Sequence, residues 1–430
     1  MRILFITPYP PSRIRTRSYG FLSHLRDEHD VTVLMQVSST QEATDADVLR
    51  QQGYNVVVVE ESKREAALRS SFAIFQGYPL QVAYARSVRL LHKAQQLCSH
   101  QHFDIIHVEH LRGMASAEQL CASHPVVWDA VDCISLLWEQ AGTDGHNALV
   151  RALATFEHRR TRRYEAQIVP LPLHVVTIAE RDRQALLTLC SPHPQYIDID
   201  KRIDVVSSGV DLTYFSPTQQ ERLPHNIVFS GKMSYHANVA AALFLAQQVM
   251  PLIWRERPEV SLTLVGSKPP AAIQRLTRDP RIEVTGYVDD IRPYIRRAQV
   301  MVSPMVYSVG LQNKVLEAMA LGTPSIVSAQ SLAALQALPG RDLLSAHSAE
   351  DFAASTLRVL NDTELQAILS QYGRMYVEQY HNWQSMTDQL IDIYQLAATR
   401  HAQRTAQLAP LKLESNEVLC SAREHSSFTL

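Results

Sequence analysis

Short apolar runs alternate with longer amphipathic stretches along most of the 430-residue chain. Continuous apolar runs of this length predict parallel strands, because helices on both sheet faces leave neither side open to water. In the first half, Ile3–Ile6, Val31–Leu34, Val56–Val59, Ile105–Val108, Val126–Trp128 and Val175–Ile178 read as strands. Helical spacing falls on Ser18–Leu25, Val82–Leu97 and Arg112–Cys121. A second series of strands follows at Ile203–Val206, Ile227–Phe229, Ser261–Val265, Ile282–Val284, Val300–Val302 and Ser325–Val327. Its helices are Val239–Trp254, Asp290–Arg297, Lys314–Leu321 and Ala349–Leu360. Two such series predict an α/β protein of two doubly wound domains, residues 1–195 and 200–382, parted at Ser191–Lys201 where prolines and polar residues break the pattern. A helix over about 383–400 closes the body and can pack back on the first domain, while 404–430 lacks a sustained period and reads as a disordered tail. Ligands of open parallel sheets sit beyond the carboxyl ends of the strands, so two facing domains predict a cleft between those ends.

Composition narrows the function classes. Lys plus Arg number 41 against 43 Asp plus Glu, a net charge of −2, which gives no support to a nucleic-acid partner. The cysteines, Cys98, Cys121, Cys133, Cys190 and Cys420, are widely spread and form no C-x-x-C pair, so zinc and redox motifs have no foothold. Scattered free thiols fit a reducing compartment. The apolar run at the start is short and ends in prolines followed by arginines, which suits a first strand better than a signal peptide. No stretch approaches the roughly 18 apolar residues of a membrane span. The expected location is cytoplasmic, with contact to the inner membrane face at most peripheral.

The most informative stretch is Val300–Ser328, VMVSPMVYSVGLQNKVLEAMALGTPSIVS, which reads strand, loop, helix, glycine stop, strand. Free amides at a helix N-terminus favour a phosphate. Lys314 sits in the first turn, where a cation opposes the helix dipole at a cost of at most about 1 kcal/mol. A neighbouring diphosphate would more than offset that. The pattern G-x-x-N-K-V-L-E-A-M-A-x-G-x-P resembles the donor-site signature of the retaining family 4 glycosyltransferases, which have the GT-B fold of two facing Rossmann-like domains. The resemblance implies that Gly310, Leu311, Asn313 and Lys314 border a nucleotide-sugar donor, with Lys314 on its phosphates. It places Glu317 on the ribose hydroxyls, a task that suits a carboxylate able to accept from two vicinal hydroxyls.

Further matches follow in the expected order. Val205-Val-Ser-Ser-Gly-Val-Asp211 with Tyr214-Phe-Ser-Pro217 resembles the family's interdomain segment. Ile227-Val-Phe-Ser-Gly-Lys-Met233 resembles its phosphate-side loop, which implies donor contacts at Gly231 and Lys232. Gly286-Tyr-Val-Asp-Asp-Ile-Arg292 resembles the loop whose backbone meets the base, at Val288. Two departures stand out. A second basic position of the phosphate loop falls at Ala237–Asn238 without a charge, and Val309 stands where many members carry a Glu that contacts the transferred sugar. The second leaves the choice of sugar open.

In the first half, Phe5–Gly20 reads strand, proline-rich loop, helix, with no G-x-G-x-x-G. The loop resembles the family's first loop, near acceptor and donor phosphates. Arg13, Arg15 and Arg17 could engage an anion bidentately, Arg15 being preferred. His107, Glu109 and His110 end a buried strand facing the inferred cleft. The resemblance implies a His beside the transferring sugar, with His110 favoured and Glu109 its rival, and a cleft-facing acid at Asp132. Asp129 could equally cap a turn. Asp129 and Asp132 form no D-x-D motif and the GT-B fold does not need one, so neither metal nor other cofactor is expected. Ala148–Gln167 carries Arg151, Arg159, Arg160, Arg162 and Arg163 against Glu157 and Glu165, a solvated face or one that rests on anionic lipid.

The function so implied is transfer of a sugar from a nucleotide-sugar to a glycan, lipid-linked or small-molecule acceptor, with retention of configuration, in a polysaccharide-type pathway. Lys232, Lys314 and helix amides would stabilise the departing diphosphate. Two rivals remain open: a non-catalytic nucleotide-sugar-binding partner of a biosynthetic complex, and a sugar-nucleotide epimerase on the same fold.

Overall fold

The computed structural model describes residues 1–12, 15–144, 148–190, 198–218, 222–305 and 311–424. Two wholly parallel sheets organise them. The first contains β1 (Arg2–Thr7), β2 (Asp30–Val37), β3 (Asn55–Glu60), β4 (Ile105–Glu109), β5 (Val126–Val131), β6 (His174–Thr177) and β7 (Ile203–Val205), in the order β3-β2-β1-β4-β5-β6-β7. The second contains β8 (Asn226–Ser230), β9 (Ser261–Val265), β10 (Ile282–Gly286), β11 (Val300–Ser303), β12 (Ser325–Ser328) and β13 (Leu344–Ala346), in the order β10-β9-β8-β11-β12-β13. The apolar runs are strands because both faces of each sheet are covered: Leu4, Ile6 and Val108 pack on one side of the first sheet, Ile3, Phe5 and Val33 on the other. Strand order reverses at β1/β4 in the first sheet and at β8/β11 in the second. Crevices form at such switch points, so the loops after β1, β4, β8 and β11 are where a ligand is expected.

Ile203–Val205 corrects the expected boundary. Read as the opening strand of the second domain, it instead pairs with β6 (Val175↔Ile203, Thr177↔Val205) and closes the first sheet. Arg183, on the helix Glu180–Cys190, donates to the Ile203 carbonyl at 2.7 Å and fixes this edge. A strand as short as Ile203-Asp-Val205 does not say which sheet it joins; the crossover helix decides. Val82–Leu97 is likewise two helices, Leu80–Ala85 and Val88–His100, because the extended Ser87 caps the second by accepting from the Leu90 amide at 3.0 Å.

The run His236–Glu256 corrects a further expectation. It is long and apolar enough to cross a bilayer by length and composition, with a mean hydropathy of 1.4. Half of it is buried, and Ala241, Leu245, Val249 and Ile253 belong to the core of the second domain. The final helix, Trp383–Glu424, extends through the tail expected to be disordered from Arg404. The tail sequence is rich in Leu, Ala and Glu, all strong helix formers.

Two crossings join the domains and hold each other. Val210 forms a parallel bridge with Asn382, its amide donating to the His381 carbonyl at 2.8 Å, and His381 Nδ1 lies 2.9 Å from the Ser208 carbonyl. Trp383 is wedged between two glycines: a Cβ on Gly20 would meet its ring at 2.2 Å and one on Gly209 at 2.5 Å. From there Met386, Leu390, Ile393 and Tyr394 pack on the first domain beside Phe5 and Phe21. The chain therefore returns to the first domain and pins both crossings at one point.

Candidate active site

On the second domain the site is built from the ends of β8, β9 and β11. The loop after β8 presses against the end of β9: a Cβ on Gly266 would lie 1.8 Å from the Gly231 carbonyl oxygen, so only glycine fits there. A Cβ on Gly231 would come within 2.8 Å of Asn238 Nδ2 and 3.2 Å of Lys314 Nζ. Removing it lets two helix starts converge on this backbone, those of His236–Phe244 and Asn313–Ala320. Neither has a side-chain cap, which leaves first-turn amides for a ligand.

Lys314 reaches into this convergence. Its ammonium donates to Asn238 Oδ1, lies 3.5 Å from Met305 Sδ and sits 4.6 Å above the Phe229 ring. No carboxylate is within ion-pair distance among the described residues. Burial therefore pushes Lys314 down to about 7, opposed only by the charge of Glu317. Glu317, three residues on and on the same helix face, is pushed up to about 7 by burial and lowered by Lys314. Its carboxylate accepts no hydrogen bond from the described residues. A half-buried cation held by a neutral amide, beside a carboxylate with free acceptor sites, is arranged for a ligand bearing both anionic and hydroxyl groups.

The remaining donor-side residues surround this pair. Asn238 Nδ2 donates to the Lys232 carbonyl at 3.0 Å, while the Lys232 side chain is exposed. Leu311 and Val288 are half-buried in one cluster with Ile291 and Tyr294, an apolar floor beside the exposed Tyr287. Gly310 and Val309 lie outside the described residues, as does Arg13. Asn313 does something the sequence did not foretell: its Nδ2 donates to Thr16 Oγ1 at 2.9 Å, tying the two domains together across the cleft.

On the first domain, β4 and β5 end in left-handed backbone at non-glycine residues, His110 (φ 63) and Val131 (φ 66). Such conformations cost on the order of 1–3 kcal/mol and persist where surrounding structure enforces them. His110 Nδ1 accepts from the Arg112 amide at 3.1 Å, and burial holds the imidazole down to about 3. The ring is therefore neutral with its proton on Nε2, a hydrogen-bond donor. Glu109 points elsewhere: it is buried, accepts from the Tyr9 hydroxyl at 3.2 Å, and is pushed up to about 7 by burial and by Asp129. His107, expected at the cleft, is in the core, stacked on Phe5 at 4.1 Å with Nδ1 2.8 Å from the Tyr394 hydroxyl. Inward side chains alternate along a strand, and His107 falls on the face covered by the final helix.

Asp132, half-buried, follows the strained Val131. Burial and the nearby Asp182 push it up to about 7, while Tyr235 of the second domain is raised by burial first and then by the charge of Asp132. Arg15 turns to its own domain, bonding Glu42 at 3.2 Å and stacking on Tyr9 at 4.1 Å. There it lines a cavity of about 110 Å³ with Tyr9, Glu42, Lys63, Tyr84 and Arg112. Arg17 is not available to an anion: it grips Asp129 bidentately at 2.7 and 3.0 Å and donates to the Val206 carbonyl at 2.9 Å. A fork this fully engaged is structural. Asn238, Thr16, Tyr235 and Arg112 were missed by sequence reasoning. Only the gap in charge at Ala237–Asn238 signalled any of them.

Residues 224–362 match the family model described as glycosyl transferases group 1. D-inositol 3-phosphate glycosyltransferase of Salinispora arenicola is 24% identical over 240 residues, 48% of this chain; the chain spans about half that relative's length, 52%. Among solved structures, Anabaena HepE in complex with UDP and glucose superposes with a TM-score of 0.65 at 13% identity, covering 91% of this chain and 98% of its own. Sucrose-phosphate synthase from Thermosynechococcus elongatus does so with 0.64 at 17% identity, covering 92% and 99%. At these identities the likeness shows the fold, which is GT-B.

Proposed function

We propose, from a chain that carries a glycosyl transferases group 1 domain at residues 224–362 on a GT-B fold, that it transfers a sugar from a nucleoside diphosphate donor to an acceptor held against the first domain. One observation carries the reading: among the described residues the half-buried Lys314 ammonium has no acid in contact, and one turn away the Glu317 carboxylate accepts no hydrogen bond. A diphosphate would supply the missing charge and a ribose the missing donors.

In this reading the leaving diphosphate gathers negative charge as the glycosidic bond breaks. Lys314, the amides at Asn313 and His236, and Lys232 swung in from its exposed position stabilise that charge without a metal. Neutral His110 donates Nε2–H to a hydroxyl of the sugar in transit, and Asp132 faces the same space. The acceptor approaches from the cavity beside Arg15 and Arg112. Retention of configuration rests on the resemblance to retaining enzymes. The UDP complexes of HepE make UDP-sugars the first donors to try.

The test is a thermal-shift panel of UDP, GDP and ADP and their sugars, on the wild type and on Glu317→Ala. A ligand present at about 100 times its dissociation constant adds roughly 2.7 kcal/mol of apparent stability. A clear shift with one nucleotide class, reduced in the variant, is expected. No shift with any of them, or an equal shift in Glu317→Ala, refutes the donor site.

A further inference from the structure

We infer that the outer face of the helix Ala148–Ile168 docks this chain on an anionic lipid surface. The inference stands apart from the sugar-transfer reading.

The helix divides its charges by face. Its two acids both point inward. Glu157 accepts from the Leu80 amide at 3.0 Å, and Glu165 from the Ile134 amide at 2.8 Å and the Ser135 amide at 3.1 Å. They share the buried face with Ala154, Thr161, Tyr164 and Ile168. The arginines point outward. Arg159, Arg162 and Arg163 are exposed and, among the described residues, have no acid partner and no hydrogen bond. A surface helix in a chain of net charge −2 would ordinarily show both signs. Here the exposed charges of the helix are all cationic because the fold consumes both carboxylates as caps.

Apolar side chains sit within that cationic face. Leu153 is 47% exposed and Phe156 39%, and Phe156, Arg159 and Arg163 fall at i, i+3 and i+7, one stripe of the helix. The Arg160 guanidinium lies 3.9 Å over the Phe156 ring. Exposed aromatic and aliphatic groups flanked by the exposed Arg159 and Arg163 match a headgroup boundary, where the apolar parts enter and the cations stay with the phosphates. A nucleic-acid duplex would use the charges and leave Leu153 without a role.

The face also adjoins the acceptor side. Arg160 donates to the Tyr78 carbonyl at 3.2 Å, and Glu157 holds the start of the helix Leu80–Ala85, whose Tyr84 lines the cavity with Arg15 and Arg112. Docking would therefore bring the cavity mouth near the lipid.

The experiment is co-sedimentation of the full chain with vesicles of phosphatidylcholine alone and with vesicles containing phosphatidylglycerol, at low and high salt. Binding only to the anionic vesicles, weakened by salt, is expected. Each juxtamembrane arginine contributes about fivefold, so Arg159→Gln/Arg162→Gln/Arg163→Gln should lose roughly a hundredfold in affinity. Its unfolding midpoint should be unchanged, because those side chains hold nothing in the fold. Phe156→Ser should weaken vesicle binding while leaving its salt dependence intact. Wild-type protein that stays in solution with anionic vesicles at low salt overturns the proposal. So does a triple variant that binds as before, or a DNA duplex that binds as tightly as the vesicles. Nucleotide binding measured on the same preparations reports separately on the donor site.

Discussion

Arg17 and Lys314 are cations at the carboxyl ends of the two sheets, and the chain surrounds them in opposite ways. Arg17 meets a carboxylate bidentately and two backbone carbonyls besides, and is buried with Asp129. Lys314 meets an amide oxygen, a thioether and a ring face, and no acid is in contact with it among the described residues. The first arrangement binds β5 and the interdomain segment to the first helix. The second leaves a charge without compensation, which no fold needs and a ligand can supply. Chemistry is legible in what a polar group lacks as much as in what it touches.

Breaking each cation should therefore give opposite results. Arg17→Ala strands a buried carboxylate, so it should cost about 3–5 kcal/mol of stability, read as a lowered denaturant midpoint. Lys314→Ala should lower turnover with a UDP-sugar by about 10²–10³, or roughly 3–4 kcal/mol of transition-state stabilisation. Its unfolding midpoint should not fall, since the charge it removes is uncompensated. Near-wild-type turnover in Lys314→Ala would remove the lysine from the mechanism. Glu317→Ala comes next: losing hydrogen bonds to a charged acceptor, about 1.5–3 kcal/mol, should weaken UDP binding by roughly ten- to hundredfold. Unchanged affinity would remove the ribose role.

A smaller effect sharpens the comparison through pH. Lys314, pushed down to about 7 in the free protein, must be protonated to hold a diphosphate. Below that value the free lysine already carries its proton and adds no further pH dependence. Above it binding requires proton uptake, so UDP affinity should fall by about tenfold per pH unit. Glu317 is the one charge that raises Lys314, so in Glu317→Gln the fall should begin at lower pH. A final check is chelation: because protein groups meet the leaving charge in this account, turnover should be unchanged by EDTA.

Much of this was legible beforehand, for physical reasons. Twelve strand positions followed from apolar runs that only a two-sided sheet can bury, whereas β13 is a three-residue edge, Leu344–Ala346, too short to announce itself. The placement of β7 depended on a crossover rather than on its own residues. Within the candidate site, Lys314 and Glu317 could be read because G-x-x-N-K-V-L-E-A-M-A-x-G-x-P resembles a family's donor-site signature. Asn238 could not, since a neutral side chain acquires meaning only from the ammonium it holds. Arg15 and Arg17 both read as loop arginines, with Arg15 preferred for an anion; partners distant in sequence, Glu42 and Asp129, separate them. The burial of His107 beneath the final helix also came from far along the chain, through Tyr394.

The most direct test is calorimetric titration of UDP at pH 8 in buffers of differing ionisation enthalpy. If Lys314 is neutral in the free site and charged under the diphosphate, binding should take up roughly one proton per site in the wild type and none in Lys314→Met. Binding without proton uptake, or with the same uptake in Lys314→Met, would contradict the account.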